Sequence, residues 1–450
     1  MTTEQAVTTT AGPPPLVLSA RSAGLRYGAL FGPAVFGVTA AGVALPDVAA
    51  SLHATPSAAA WVLTAHALAL GVGTALFGRL ADSRGLRTSL LLGSLVLALG
   101  TVVCLLAPNI GTLVVGRFVL ASGSGAMTSG ALALSAAADP ADRPKVLGGF
   151  GATMAVFSAS ATLAGGVFTE WVTWRVTLVL PALSLLAVPL CLRPASLRRG
   201  SGRTLDLPGA VLLTVAAMSF LVLIQSYALG LTAPVVIALA VALLVSAAAL
   251  TARVRTNPVS FVPRVLVTDA TFLRAALTGV GVYAGLFAAM YAVPQILVRE
   301  HGWSVLAVGS WLLPGAAFGA VLSRVAGRVA GGRGGRLLLS GIAFAMAAVV
   351  ALTAATGNPA PPVVGASLGF AAFAVTQVIT TALMSARVEP ALRGGAMGLL
   401  NLSFFVGGGV GSATAGALVK SLDLTDVLAL VAVFPLVGAL AALTLGRKAD

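Results

Sequence analysis

The feature that most constrains this chain is the recurrence of apolar runs of about 20 residues, separated by short polar or basic connections. A run of that length crosses the hydrocarbon core of a bilayer as one helix. Hydrophobic residues make up 58% of the sequence and charged residues only 9%, so a water-soluble fold would have too few charges to cover its apolar surface. The pattern predicts an all-α polytopic membrane protein.

The apolar runs predict about fourteen membrane spans. A very short turn at Gly230-Leu231 separates the seventh from the eighth. The predicted spans are 27–48, 58–80, 88–107, 111–138, 147–169, 174–192, 207–228, 232–251, 272–298, 303–327, 336–356, 360–385, 394–419 and 425–446.

An internal repeat relates two parts of the chain. Residues 78–87 read GRLADSRGLR and residues 327–336 read GRVAGGRGGR, with six of the ten positions identical. The first segment follows the second predicted span and the other follows the tenth. The repeat therefore predicts two equivalent six-helix halves, with the seventh and eighth spans inserted between them.

The repeat and the span boundaries divide the chain into seven parts. Residues 1–26 are polar and Thr/Pro-rich and lack the apolar core of a signal peptide, which favours a disordered tail. The predicted parts are a cytoplasmic tail (1–26), an N-terminal half (27–192), a cytoplasmic loop (193–206), an inserted helix pair (207–251), a cytoplasmic linker (252–271), a C-terminal half (272–446) and a second cytoplasmic tail (447–450).

The basic residues predict the orientation. Of the 27 Lys and Arg residues, 23 fall in one alternate set of connections, three in the other, and Arg117 lies inside a span. This asymmetry places both termini in the cytoplasm. Because the net charge of +14 is spread over short patches, it does not indicate nucleic-acid binding. The predominance of Arg, Ala and Gly suggests a GC-rich bacterial genome, and hence the bacterial inner membrane.

Residue sets that would indicate catalysis are missing from the sequence. It contains no Walker lysine motif, no Cys/His metal set and no convincing Ser/His/Asp set. Cys104 and Cys191 are isolated within apolar runs and are expected to be small buried hydrophobic residues. We therefore expect no enzyme activity, no cofactor and no metal, and a proton gradient as the energy source.

Several segments resemble the major facilitator superfamily in its fourteen-helix drug/proton antiporter branch. Residues 78–87 are similar to the superfamily signature G-x-L-A-D-R-x-G-R-K. Residues 43–46 (VALP) and 61–66 (WVLTAH) resemble the branch pattern "ALP…WV-x-T-A-Y", with His66 in place of Tyr. Further similar segments are Trp174-Arg175, residues 206–209 (DLPG), residues 398–401 (GLLN) and residues 407–411 (GGGVG).

The chain departs from the branch pattern at three places. Gly37 stands where the branch commonly has an Asp, nine residues before the Pro of "ALP". The fourth-span signature R-x-x-Q-G keeps Arg117 but has Leu and Ala at 120–121. The fifth-span signature G-P-x-x-G-G keeps its glycines at 165–166 but has Ala and Thr at 161–162. That signature is associated with export, so the direction of transport stays open.

The resemblance implies a gating role for the connection after the second span. A carboxylate at Asp82, beside Arg84 and Arg87, can pair with them in one state and release them in another. The alternative is a solvated loop charge. The predicted gating residues are Gly78, Asp82, Arg84, Gly85 and Arg87.

Three residues are candidates for proton coupling. Arg117 is a charge inside a span, which favours a functional role over an arginine that reaches the interface. His66 titrates near neutral pH, although a hydrogen-bonded neutral histidine between helices is an equal alternative. No Asp or Glu lies deep in a predicted span, and Asp47 and Glu170 come nearest, both toward the outer face. The resemblance links Arg117 to coupling, with Asp47 or His66 as its partner.

Polar and aromatic residues within the spans are candidates for a substrate cavity. Each could instead pack helix against helix or face lipid. The candidates are Trp61, Gln225, Phe287, Tyr291, Gln295, Trp311, Gln377 and Asn401.

These observations predict a secondary transporter that exports small amphipathic organic compounds, such as drugs or antibiotics, by proton antiport. The expected partners are the substrate, protons and the lipid bilayer, and we expect a monomer. One alternative is an importer or exporter of a single endogenous metabolite. Another, of a different class, is a membrane sensor or enzyme, which the repeat argues against.

Overall fold

Capping side chains fix where many of the helices begin. The computed structural model describes residues 20–139, 141–198, 200–202, 204–257, 260–330, 332–388 and 393–445, which form helices and no strand. Asn109 accepts a hydrogen bond from the Thr112 N–H at 2.9 Å, and Ser304 accepts one from the Ala307 N–H at 3.1 Å. The described residues thus form the all-α fold that the composition predicts.

The helices occupy the apolar runs, and two tight 3-10 segments interrupt them at Gly32–Gly37 and Leu180–Leu186. The described α-helices run Ala20–Phe31, Thr39–Ser51, Pro56–Arg84, Leu86–Leu106, Ile110–Ala136, Arg143–Trp171, Trp174–Val179, Val188–Ser196, Leu207–Ile224, Ala233–Thr256, Arg264–Val267, Ala270–Arg299, Val305–Val329, Arg333–Ala351, Thr353–Thr356, Ala360–Arg387, Arg393–Leu418, Leu424–Val431 and Val433–Leu443.

Within the described residues, 13 helical stretches are long and apolar enough to cross a membrane. A pair that meets at 41°, Trp174–Leu186 and Val188–Ser196, makes a fourteenth if it is counted as one broken span. We number these stretches spans 1 to 14 in chain order, with the bent pair as span 6. Their number and order agree with the sequence prediction.

Three predicted boundaries differ from the structure. Span 1 begins at Ala20, so residues 20–26 are helical and not part of a disordered tail, whereas residues 1–19 and 446–450 lie outside the described residues. The helix of span 8 continues past residue 251 to Thr256. The linker 252–271 contains a short helix, Arg264–Val267, and ends with the first residues of span 9. Long basic side chains allow a helix to extend beyond the apolar run, because they can reach the polar interface.

The two ends of the helix bundle differ in charge. Spans 2, 8, 10 and 12 finish at one end with Arg84, Arg253, Arg328 and Arg387 in their last turns. We call this the basic end and the opposite one the distal end. The distal end carries the connections that begin after Ser51, Leu106, Trp171 and Arg299.

The two halves meet along two seams. Span 2 packs against span 13, and span 5 packs against span 10. At each seam, the second helix of one half therefore packs against the fifth helix of the other half. Small residues allow this approach: a Cβ on Gly309 would collide with the Thr162 carbonyl. Inserted span 7 packs against spans 2 and 13, and span 8 packs on span 7, with only 6% of its most apolar stretch buried.

Candidate substrate and coupling site

Arg117 is fully buried in span 4 and binds the backbone of three other spans. Its Nη1 donates to the Leu178 carbonyl at 2.7 Å, its Nη2 to the Gly37 carbonyl and its Nε to the Val62 carbonyl at 3.4 Å. Leu178 and Gly37 lie at the 3-10 breaks. Pro181, three residues after Leu178, has no N–H and therefore cannot donate a 3-10 hydrogen bond to the Leu178 carbonyl. Since lipid supplies no hydrogen bonds, Arg117 satisfies these carbonyls and joins span 2 and the broken spans 1 and 6 to span 4.

His66 lies beside this arginine with its imidazole fully buried. Neither ring nitrogen has a hydrogen-bond partner among the described residues. The ring occupies the space next to Gly37, where an added Cβ would collide with Nε2. Gly37 therefore contacts both side chains, and a larger residue at 37 is incompatible with this ring position. An unpaired buried polar group costs roughly 1–3 kcal/mol, so the site is a candidate for a transient partner.

Asp47 lies nearer the distal end of span 1. Ten residues separate it from Gly37, which corresponds to about 15 Å along a helix. With His53 and Arg299 it lines a cavity of about 380 Å³ at the distal end. In the described part of the chain no ion pair joins Arg117 to a carboxylate. Of the two partners that the sequence left open, the structure brings His66 to Arg117.

Two of the candidate amides form a hydrogen-bonded chain. The Tyr283 hydroxyl donates to Gln377 Oε1 at 3.0 Å, and Gln377 Nε2 donates to Asn401 Oδ1 at 2.9 Å. Asn401 Nδ2 then donates to the Met397 carbonyl at 3.1 Å. The chain joins spans 9, 12 and 13 with neutral groups only.

Aromatic rings surround the hydroxyl end of this amide chain. Phe405, on the side of span 13 that meets span 2, lies close to Gly71, where an added Cβ would be 3.0 Å from the Phe405 Cβ. The ring centroids nearest to Tyr283 are those of Phe373 (4.6 Å), Phe404 (5.0 Å), Phe405 (5.5 Å) and Phe287 (6.4 Å). We call Tyr283, Phe287, Phe373, Gln377, Asn401, Phe404 and Phe405 the aromatic–amide cluster.

Sequence reasoning selected Phe287, Gln377 and Asn401 but missed the other four members of the aromatic–amide cluster. One signal was present: Tyr283 and Phe287 are four residues apart on one helix, and such residues share a face. The remaining rings come from spans 12 and 13, so their proximity depends on how those helices pack.

Other predicted cavity residues bind the protein itself. Tyr291 donates to the Pro56 carbonyl at 2.8 Å, and Gln295 Nε2 donates to the Tyr291 carbonyl at 2.7 Å. Gln225 Nε2 donates to the carbonyl of Ala413 at 3.0 Å. Trp61 is buried where span 2 meets spans 7 and 13. Tyr291, Gln225 and Trp61 thus lie at contacts between spans, whereas Gln295 binds the backbone of its own span.

The structure corrects the expectation for Trp311. This side chain is 63% exposed on the outside of span 10, and its ring is tilted against that of Trp303, with 5.9 Å between ring centroids. The buried face of span 10 carries Val308, Leu312 and Gly315. The helical repeat places Trp311 on the opposite face, which is directed toward lipid.

The predicted gating loop is largely helical. Span 2 continues to Arg84, Gly85 alone forms the break with φ = 95°, and Arg87 lies in span 3. No ion pair joins Asp82 to Arg84 or Arg87 among the described residues. The Asp82 carbonyl instead accepts from the Ser201 N–H at 2.8 Å. The 193–206 loop thus packs onto this junction, and the expected pairing is absent in this conformation.

Four hydrogen bonds join the two halves toward the distal end. Their presence shows that the described conformation is closed there. They link Ser57 Oγ to the Gly416 carbonyl (2.8 Å), Tyr291 to the Pro56 carbonyl (2.8 Å), the Leu306 N–H to Glu170 Oε2 (2.9 Å), and the Thr64 and Ser412 hydroxyls (2.8 Å).

Known proteins share this architecture. The structure of a D-xylose–proton symporter superposes with a TM-score of 0.64, at 14% identity, over 97% of this chain and 98% of the symporter. Among sequence relatives, the puromycin resistance protein pur8 of Streptomyces alboniger is 31% identical over 393 residues, 83% of this chain and 77% of its own. The multidrug resistance protein Stp of Mycobacterium tuberculosis is 26% identical over 390 residues, covering 84% and 72%.

The fold and these likenesses define a multi-pass membrane transporter, not an enzyme. The model of the Major Facilitator Superfamily matches residues 27–412, and the chain belongs to that family.

Proposed function

We propose that the protein exports small amphipathic organic compounds, including antibiotics, in exchange for protons, as a member of the fourteen-helix drug/proton antiporter branch. The observation that carries the proposal is the aromatic–amide cluster beside span 2. Its rings offer an apolar, polarisable surface, and its amides offer neutral donors and acceptors, which suit apolar ligands with a few polar groups. The likeness to puromycin and multidrug resistance proteins supports the same substrate class.

Accumulation of puromycin in cells tests the substrate class. Cells that express the protein are expected to hold less puromycin than cells without it. Phe405→Ala removes a ring of the cluster, so it should raise accumulation toward the level of cells without the protein. Trp311→Ala removes a larger ring from the lipid-facing surface and is the matched control. Equal accumulation with and without the protein, for puromycin and a panel of lipophilic drugs, would reject drug export.

For coupling, we assign the proton to His66 and the fixed positive charge to Arg117. The two side chains share Gly37, and neither imidazole nitrogen is hydrogen-bonded among the described residues, so the unprotonated nitrogen can bind a proton when the site opens to water. Asp47 is separated from them and faces the distal cavity. The assignment predicts that drug-induced proton release from purified protein disappears in His66→Gln and persists in Asp47→Asn. The reverse result would assign coupling to Asp47.

Three further properties belong to this proposal. The protein lies in the bacterial cytoplasmic membrane as a monomer, with the basic end and both termini in the cytoplasm. No cofactor takes part, and the proton gradient supplies the energy. Asp82 acts in gating by binding backbone N–H groups or arginines in the conformation that is open at the distal end.

A further inference from the structure

Asp206, immediately before span 7, is a buried carboxylate that binds three separate segments. Its Oδ1 accepts from the Gly209 N–H at 3.1 Å and from Arg253 Nε at 2.5 Å. Its Oδ2 accepts from the Phe261 N–H at 2.7 Å. These partners lie at the start of span 7, at the end of span 8 and in the linker to the C-terminal half.

The charge state of Asp206 follows from these bonds. Burial raises the pKa of Asp206, but the hydrogen bonds from the Phe261 N–H, Arg253 and the Gly209 N–H outweigh burial and hold the pKa below its usual value. The carboxylate is therefore ionised at neutral pH. Charge-assisted bonds of this kind are roughly twice as strong as neutral ones.

Phe261 connects this carboxylate to span 2. Its N–H is held by Asp206, and its carbonyl accepts from Arg79 Nη2 at 3.1 Å. The neighbouring linker residues Ser260 and Val262 are also buried. Hydrogen bonds consequently connect the inserted pair, the linker and the basic end of span 2.

At its distal end, span 7 is hydrogen-bonded to span 13 instead. Gln225 Nε2 donates to the Ala413 carbonyl at 3.0 Å and lies against Gly416, where an added Cβ would be 2.8 Å away. Gln225 Oε1 has no partner in the described part of the chain. Lys420 Nζ adds an exposed bond to the Tyr227 carbonyl at 2.9 Å. The buried bond here is neutral, so this anchorage is weaker than the one at Asp206.

Span 7 therefore crosses the seam between the halves with one end on span 2 and the other on span 13. Separation of spans 2 and 13 at the distal end must break the weaker anchorage. We propose that the inserted helix pair is a strap across this seam, held by Asp206 throughout the transport cycle and released at Gln225 when the distal end opens. Gln225 thereby stabilises the distal-closed conformation. The inference is independent of the substrate and of the coupling ion.

Thiol labelling of the purified protein tests the release at Gln225. Cys104 and Cys191 are first replaced by alanine. Thr64→Cys then serves as a probe of distal opening; it removes the bond between the Thr64 and Ser412 hydroxyls, so every labelling rate is compared within this background. Ala75→Cys, further toward the basic end of span 2, serves as the second probe. Gln225→Leu removes one neutral hydrogen bond between span 7 and span 13, so Thr64→Cys should be labelled about fivefold faster, without faster labelling of Ala75→Cys.

Gln295→Leu is the matched control, because Gln295 donates to Tyr291 within its own span. It should leave both labelling rates unchanged. Unchanged labelling of Thr64→Cys in Gln225→Leu would overturn the strap. Equal acceleration at both probes, or in both glutamine variants, would also overturn it, since that result indicates general loosening.

Limited trypsin digestion tests the anchorage at Asp206. Asp206→Asn breaks the ion pair with Arg253, so cleavage after Arg255 and Arg264 in the linker should accelerate about tenfold. Asp269→Asn is the control, because Asp269 only caps its own helix through the Phe272 N–H. If Asp206→Asn does not accumulate, Arg253→Gln removes the same ion pair. Wild-type cleavage rates in Asp206→Asn or Arg253→Gln would contradict the proposal.

Discussion

Replacing Arg117 with alanine should destabilise the folded protein much more than replacing an arginine near a span end. The change removes the donors to the carbonyls of Gly37 and Leu178, which border helix breaks. A hydrogen bond from a charged donor contributes roughly 1.5–3 kcal/mol, so two bonds correspond to about 3–6 kcal/mol of the free energy of unfolding. Lysine keeps the charge on a single donor atom, and about half of that loss is expected for Arg117→Lys.

Titration of purified variants with SDS in mixed micelles measures this free energy of unfolding. Arg175→Ala is the control: the Arg175 side chain donates to the Ala107 carbonyl at 2.9 Å, and because this side chain is only half-buried a cost of about 1 kcal/mol is expected. If Arg117→Ala and Arg175→Ala differ by less than about 1 kcal/mol, the carbonyls have other donors and the reasoning is refuted.

Four further outcomes are expected. In vesicles, Arg117→Ala should uncouple substrate movement from the pH gradient while Arg117→Lys retains part of the coupling; a fully coupled alanine variant would exclude Arg117 from the mechanism. Asp82→Asn should impair transport more than expression, and a wild-type transport rate at normal protein level would refute the gating role. A cysteine within 108–111 should react with an external reagent in intact cells, whereas one at Arg198 should not; external labelling at Arg198 would contradict the orientation. The pKa of Asp206 lies below the usual value of an aspartate, so the carboxylate stabilises the fold fully above the usual pKa and loses this effect only as the pH falls through the lowered pKa. Protection of the Phe261 amide from hydrogen exchange should therefore be constant from about pH 5 to 8. Loss of protection in that range would contradict the ionised anchor.

The sequence predicted the helical order well because lipid imposes one strong rule. A spanning segment must satisfy its own backbone, so apolar length and connection charge were enough to place the fourteen spans. The wrong predictions concern helix boundaries outside the apolar runs, which this rule does not determine. Span 1 starts at Ala20 because its helix continues past the apolar run, and the segment through Asp82 is helical because a single glycine, Gly85, is enough for the turn.

The candidate site was harder to predict, since its contacts depend on helix rotation and on breaks. Arg117 stood out as a buried charge, but its closest partners are the carbonyls of Leu178 and Gly37 at the two 3-10 breaks and not a carboxylate. Trp311 was selected by residue type alone, and its helical phase directs it toward lipid. The bond from Asp206 to Arg253 joins residues 47 positions apart, and nothing in the local sequence pairs them.

Transport in proteoliposomes tests the central claim most directly. Purified protein is reconstituted into sealed vesicles, and puromycin movement is followed with an imposed pH gradient, without it, and after a protonophore collapses it. Proton antiport predicts that puromycin accumulates on the acidic side only while the gradient lasts, and that His66→Gln abolishes this dependence. Active accumulation that persists without a pH gradient or a membrane potential would contradict proton-driven export.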